Sequence, residues 1–103
     1  MHLSMISIRQ TEAFSDWLRC LRDRRARSII QVRIDRLAFD NPGDVESVGV
    51  GVRELRISHG PGYRVNFIQR GQTLILLLCG GDKSSQPADI QRAKSLAAEL
   101  EEE

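Results

Sequence analysis

No stretch of these 103 residues approaches the roughly 20 consecutive apolar positions that a membrane helix needs. The opening, MHLSMISIRQ, lacks both the basic start and the long apolar run of a secretory signal, so the cytoplasm is the expected compartment, with no membrane partner. Cysteine is scarce: Cys20 and Cys79 stand far apart and form no CxxC or Cys/His cluster, which argues for two reduced thiols rather than a disulfide framework or a metal site. Lysine is scarcer than a basic chain leads one to expect, Lys83 and Lys94 standing against thirteen arginines. Neither Tyr nor His follows Tyr63, there is no internal repeat, and no segment reads as a linker.

What is present suffices for one domain over 1–103, because a 41% hydrophobic fraction can fill a core without staples. The net charge of +1 conceals an asymmetry. Four of the 14 acidic residues are Glu99, Glu101, Glu102 and Glu103, and without them 15 basic residues face ten acidic ones. The acidic end is read as a solvated helix terminus, and the body is basic. Arginine's planar fork suits bidentate contact with phosphate or carboxylate, which points to a phosphate-rich or acidic partner. Solvated helix surface, or a GC-rich genome, accounts for such a composition slightly better.

The hydrophobic period divides the chain. ISIR (6–9) alternates as a short strand, and Thr11 then precedes Phe14, Trp17, Leu18 and Leu21 at the spacing of one buried helix face. RDRRAR (22–27) reads as a polar corner leading into a second helix that ends near Phe39, with Ala26, Ile30, Ile34 and Leu37 inward. An antiparallel helical hairpin with an arginine-rich exterior is expected. VRELRIS (52–58), GYRVNFIQ (62–69) and TLILLLC (73–79) read as an antiparallel meander, the last strand covered on both faces. GVGV (49–52) is too short for a dinucleotide loop and reads as a flexible connection. GGDK (80–83) is expected to break the strand, and a last helix starts near Ser85.

Register locates a candidate site. Leu55 and Ile57 must share a face with Tyr63, Val65 and Phe67, which requires an odd-numbered loop; His59-Gly60-Pro61 provides it. Arg56 then stands opposite Arg64 on an open face, a like-charge pair that destabilises unless compensated. A salt-bridged surface that includes Glu54 is one reading. The other is an anion site in which Lys83, beside the N-terminus of the last helix, joins the two arginines.

The run GVRELRISHGPGYRVNF followed by LILLLCGGDKSSQPADIQRAK resembles the RelE/ParE toxin superfamily, in particular its short, HigB-like "addiction module killer protein" branch. The resemblance implies an α+β fold: an N-terminal helical hairpin packed on a mainly antiparallel twisted β-sheet, with a C-terminal helix. It also implies a toxin of a type II toxin-antitoxin pair that cuts messenger RNA on the ribosome without a metal or other cofactor. Its partners would be a helix-turn-helix antitoxin, mRNA, the ribosome and, through the antitoxin complex, operator DNA. Attack of a ribose 2′-oxygen on the adjacent phosphate builds negative charge that fixed cations stabilise. By the match, Arg64, Lys83 and Arg56 are candidate catalytic residues, and Arg53, Arg56, Arg64, Lys83 and Ser84 candidate phosphate contacts.

The chain departs from that pattern in lacking a C-terminal Tyr or His for proton transfer. His59 is therefore the candidate acid-base group, and Tyr63, on the apolar face, reads as core. Two further functions fit the same resemblance: a ParE-like inhibitor that binds DNA gyrase, and a non-catalytic member that only binds its antitoxin and co-represses the operon.

Overall fold

Small polar residues ahead of apolar stripes set where the helices begin. After strand β1 (Ser7–Gln10), Thr11 caps helix α1 (Glu12–Cys20), its hydroxyl accepting the Phe14 amide at 3.1 Å. Asp23 caps α2 (Arg24–Leu37) by accepting the Ala26 amide at 3.1 Å. Strands β2 (Val45–Gly49), β3 (Val52–Ile57), β4 (Tyr63–Arg70) and β5 (Leu74–Asp82) follow, then a 3-10 turn (Lys83–Ser85) and α3 (Gln86–Glu101). The structure, a computed structural model, describes residues 6–101; the end of the acidic tail, Glu102 and Glu103, lies outside the described residues.

The five strands form one mixed sheet in the order β1-β5-β4-β3-β2. β1 runs parallel to β5, and every other neighbouring pair is antiparallel. This overturns the expected α+β arrangement of an N-terminal helical hairpin packed on the sheet, and the sheet itself is mixed although antiparallel at every neighbouring pair but β1–β5. Leu21 and Asp23 adopt extended backbone between the helices, and the two helices touch each other little: α1 lies on β5 and α2 on β3. A groove of about 540 Å³, lined by Leu18, Arg19, Arg24 and Arg27 among others, separates them. The apolar stripes were legible; that each serves a different strand depends on the backbone turn between them.

Both faces of the sheet are covered. Phe14, Ile30, Leu55, Val65, Phe67 and Leu77 fill the layer beneath α1 and α2. Val52, Ile68, Leu78, Cys79, Ala93 and Ala97 fill a second layer beneath α3. The odd-numbered set of β3 and β4 is buried as its alternation requires, and the β3–β4 register pairs Ile57 with Tyr63 and Arg56 with Arg64. Along β5, Asn66 pairs with Cys79 and Phe67 with Leu77, so Leu78 is an extra residue at a bulge and points into the second layer.

Three local expectations change. The GGDK stretch does not end the last strand, because β5 continues through Gly80 and Gly81 to Asp82. A Cβ on Gly80 would fall 2.2 Å from the Trp17 ring, and one on Gly81 would fall 1.9 Å from an Asp89 carboxylate oxygen. The glycines therefore let α1 and α3 approach the strand from opposite faces. The face bearing Arg56 and Arg64 is not open, since α3 lies over it and leaves Glu54 and Asn66 fully buried.

GVGV is the tight turn of a further hairpin, β2–β3, with Val50 at φ 54° and Gly51 at φ 78°. A β-branched residue in the left-handed region is strained, and Val50 gains little from burial, being 82% exposed. Val50→Asn should therefore stabilise the protein by about 1 kcal/mol, read as a rise in melting temperature of about 4–8 °C. An unchanged or lower melting temperature would show that the turn carries no such strain.

Candidate functional site

The β3–β4 turn and the start of the 3-10 turn stand side by side because Tyr63 pairs with Asp82 and Arg64 with Gly81. Gly62, at φ 82°, turns the chain, and a Cβ there would lie 3.5 Å from the Lys83 Cβ, so the lysine stem passes close over the turn. The result is a groove of about 450 Å³ lined by His59, Arg64 and Lys83, together with Asp44, Ile57, Ser58 and the Gly60-Pro61-Gly62 backbone. Three of the sequence candidates thus meet at one place.

His59 is held on two sides. Its Nε2 lies 3.2 Å from Oδ2 of Asp23, the residue that caps α2, and its ring stacks on Tyr63 with centroids 6.5 Å apart and planes 20° from parallel. Tyr63 is itself buried in the core, in edge contact with Trp17. The Asp23 carboxyl is held below the usual carboxylate range, chiefly by the Ala26 amide that it accepts and next by His59. Asp23 escapes a sequence reading that takes RDRRAR as a corner. An aspartate directly ahead of a helical run is nevertheless an N-cap signal, and that signal was available.

Arg64 is placed differently from the expectation of an open face. Its side chain is 13% exposed, with Nη1 3.8 Å from Oε1 of the buried Glu54, and its Nε is buried without a hydrogen-bond partner. Glu54 also accepts Arg56 Nε at 3.1 Å, and its two oxygens accept Gln86 Nε2 at 2.9 and 3.0 Å. This carboxylate ties β3, β4 and the first residue of α3 together. It also supplies the compensation that the opposed arginines require.

The remaining candidates fall outside the groove lining. Arg56 turns toward Glu54 and Glu46, and the Glu54 hydrogen bond raises its pKa further. Arg53 lies on the opposite face of the sheet, its guanidinium 5.6 Å from the centre of the Phe67 ring. The exposed Ser84 gives its amide, at 2.8 Å, and its hydroxyl to the Asp82 carboxylate. Asp82 thereby occupies the donors at the turn that were expected to hold an anion, and its carboxyl is lowered chiefly by the Ser84 hydroxyl. Among the described residues no group of three or more His, Cys, Asp or Glu side chains is placed to hold a metal ion, and Cys20 and Cys79 are both free.

The groove therefore presents an imidazole, an exposed ammonium and a largely buried guanidinium, with Asp44 also in its lining. The chain is similar to an uncharacterized protein of Haemophilus influenzae, 50% identical over 95 residues that span 92% of this chain and 96% of that one. No protein-family model and no solved structure matches it.

Proposed function

We propose that this chain, which belongs to one family with the uncharacterized Haemophilus influenzae protein, is the toxin of a type II toxin-antitoxin pair and an endoribonuclease that cuts messenger RNA on the ribosome. The observation that carries this reading is the meeting of His59, Arg64 and Lys83 in one groove, added to the resemblance of the ELRI, GPGYRV and CGGDKS segments to RelE/ParE toxins. In this reading the protein acts in the cytoplasm, where ribosomes are, without a metal. No helix among the described residues is long and apolar enough to cross a membrane. A helix-turn-helix antitoxin would neutralise the toxin by setting acidic groups against its arginines, and would carry it to operator DNA.

His59 takes the proton of a ribose 2′-hydroxyl as that oxygen attacks the adjacent phosphorus. The bond from phosphorus to the 5′-oxygen breaks, and the Lys83 ammonium supplies the proton with which the leaving oxygen departs. A 2′,3′-cyclic phosphate and a 5′-hydroxyl remain. Lys83 from the solvent side and Arg64 from the sheet side face the negative charge that builds on the phosphate oxygens. Arg56, Arg53 and Ser84 have no part in the step in this reading.

The tie of Arg64 to buried Glu54 favours a second reading, in which a basic surface binds DNA gyrase, or the antitoxin alone, and no guanidinium meets a scissile phosphate. A purified translation system with a defined message, its new 5′ ends mapped by primer extension, separates the two. Cuts by the wild type that need translating ribosomes, slowed about 100-fold or more in His59→Ala and in Lys83→Ala, are the expected outcome. A wild type that arrests growth yet makes no cut would favour the binding-only reading.

A further inference from the structure

Each oxygen of the Asp23 carboxylate has a separate task. Oδ1 accepts the Ala26 amide at 3.1 Å and so is fixed by the first turn of α2, while Oδ2 lies 3.2 Å from His59 Nε2. The imidazole lies nearly parallel to the ring of Tyr63, with centroids 6.5 Å apart, and the core holds Tyr63 in place. A neutral imidazole in this setting carries its proton on Nε2, donated to the carboxylate, and keeps a lone pair on Nδ1. The charged groups around it are Asp23 on the α2 side and Arg64, Lys83 and Asp44 along the groove. Among the described residues Asp23 makes its ion-pair contact with His59, and Arg64 makes its own with Glu54.

We infer that Asp23 is the positioning residue of the groove: it fixes the tautomer and plane of His59, so that Nδ1 is the atom that accepts the 2′-hydroxyl proton. The inference rests on the nuclease reading for its role in cleavage, but the Asp23–His59 pair itself does not. Asp23 remains ionised at neutral pH because the Ala26 amide, and then His59, hold its carboxyl below the usual range. The N-terminus of α2, remote in sequence from the β3–β4 turn, thereby becomes part of the site.

The test is Asp23→Asn, compared with Asp23→Ser, in the full chain. Asparagine caps a helix about as well as aspartate, so the melting temperature should stay close to that of the wild type. With its oxygen kept by the Ala26 amide, however, its NH2 group faces Nε2, which must then accept, and the imidazole proton moves to Nδ1. Nitrogen-15 NMR of the His59 ring should show bare Nδ1 in the wild type, bare Nε2 in Asp23→Asn, and a mixture in Asp23→Ser, which caps α2 but is too short to reach the ring.

Ribosome-dependent cleavage should fall about 100-fold or more in Asp23→Asn and less in Asp23→Ser. An unchanged tautomer in both variants overturns the inference, whether or not RNA is cut, and so does a switched tautomer with cleavage at the wild-type rate. A tautomer that switches as expected in a protein whose wild type cuts no RNA overturns the nuclease reading instead, and leaves the Asp23–His59 pair standing.

Discussion

Gly80→Ala is expected to destabilise the protein by about 3 kcal/mol, at the upper end of ordinary overpacking. The added methyl would lie 2.2, 2.4 and 2.5 Å from three carbons of the Trp17 ring, closer than any real contact allows. Trp17 cannot simply step aside, because it packs against Phe14 and Tyr63 with ring centroids 5.7 and 6.2 Å apart. By intrinsic preference alone the change should help, since glycine weakens a strand. The sign of the effect therefore reports the close approach of α1 to β5. Urea denaturation of Gly80→Ala, Trp17→Ala and the double variant checks it. Gly80→Ala should cost under about 1 kcal/mol once the indole is gone, an interaction of about 2 kcal/mol. Equal costs in both backgrounds would mean that the glycine is required for another reason.

Glu54→Ala is expected to cost about 3–5 kcal/mol at neutral pH, the range for removing one partner of a buried ionic cluster. Glu54 is fully buried, and its loss leaves Arg56 and Gln86 without their acceptor, Arg64 without its ion-pair partner, and the opposed arginines without compensation. Glu54→Gln keeps the side-chain shape and an acceptor for Gln86 but removes the charge, so an intermediate loss is expected. Denaturant midpoints of the three proteins give the comparison. A loss below about 1 kcal/mol for Glu54→Ala would mean that the arginines find water instead, and that the cluster is a surface ion pair in energetic terms.

These two positions show why part of the molecule escaped a reading by pattern. Alternation assigned Glu54, Arg56 and Arg64 to one face correctly, and the register of β3 against β4 followed from a single parity condition. Whether that face meets water or a helix is a separate matter. It depends on where α3 returns, and the buried Asn66 and Glu54 show that it returns over the strands. Gly80 and Gly81 carry the same lesson, because paired glycines mark a strand end and a site of close helix approach equally well. Two strand pairings were also invisible. β1 lies parallel to β5 across most of the chain, and β2 is short, with an exposed, polar middle.

The candidate groove divides along similar lines. His59, Arg64 and Lys83 were individually legible, the first as an imidazole in the β3–β4 turn and the others by charge and resemblance. Their meeting depended on Tyr63 and Arg64 pairing with Asp82 and Gly81 at the end of a strand that continues further than its composition suggests. Asp23 joined them from a helix cap, and Arg53 and Ser84 fell away, one to the opposite face and the other to Asp82.

The sequence by itself determined what repeats locally: which residues cap α1, which stripe of each helix is apolar, which residues of β3 and β4 face the core, and that Arg56 opposes Arg64. Each of these follows from a period of 3.6 or 2, or from the hydrogen-bonding reach of one side chain. The tertiary structure alone decided that α1 and α2 serve different strands, that α3 seals the arginine face around Glu54, and that Asp23 reaches His59. Those outcomes join segments far apart in the chain. They are fixed by which close packing buries the most apolar surface without orphaning a charge, a condition that no local pattern contains.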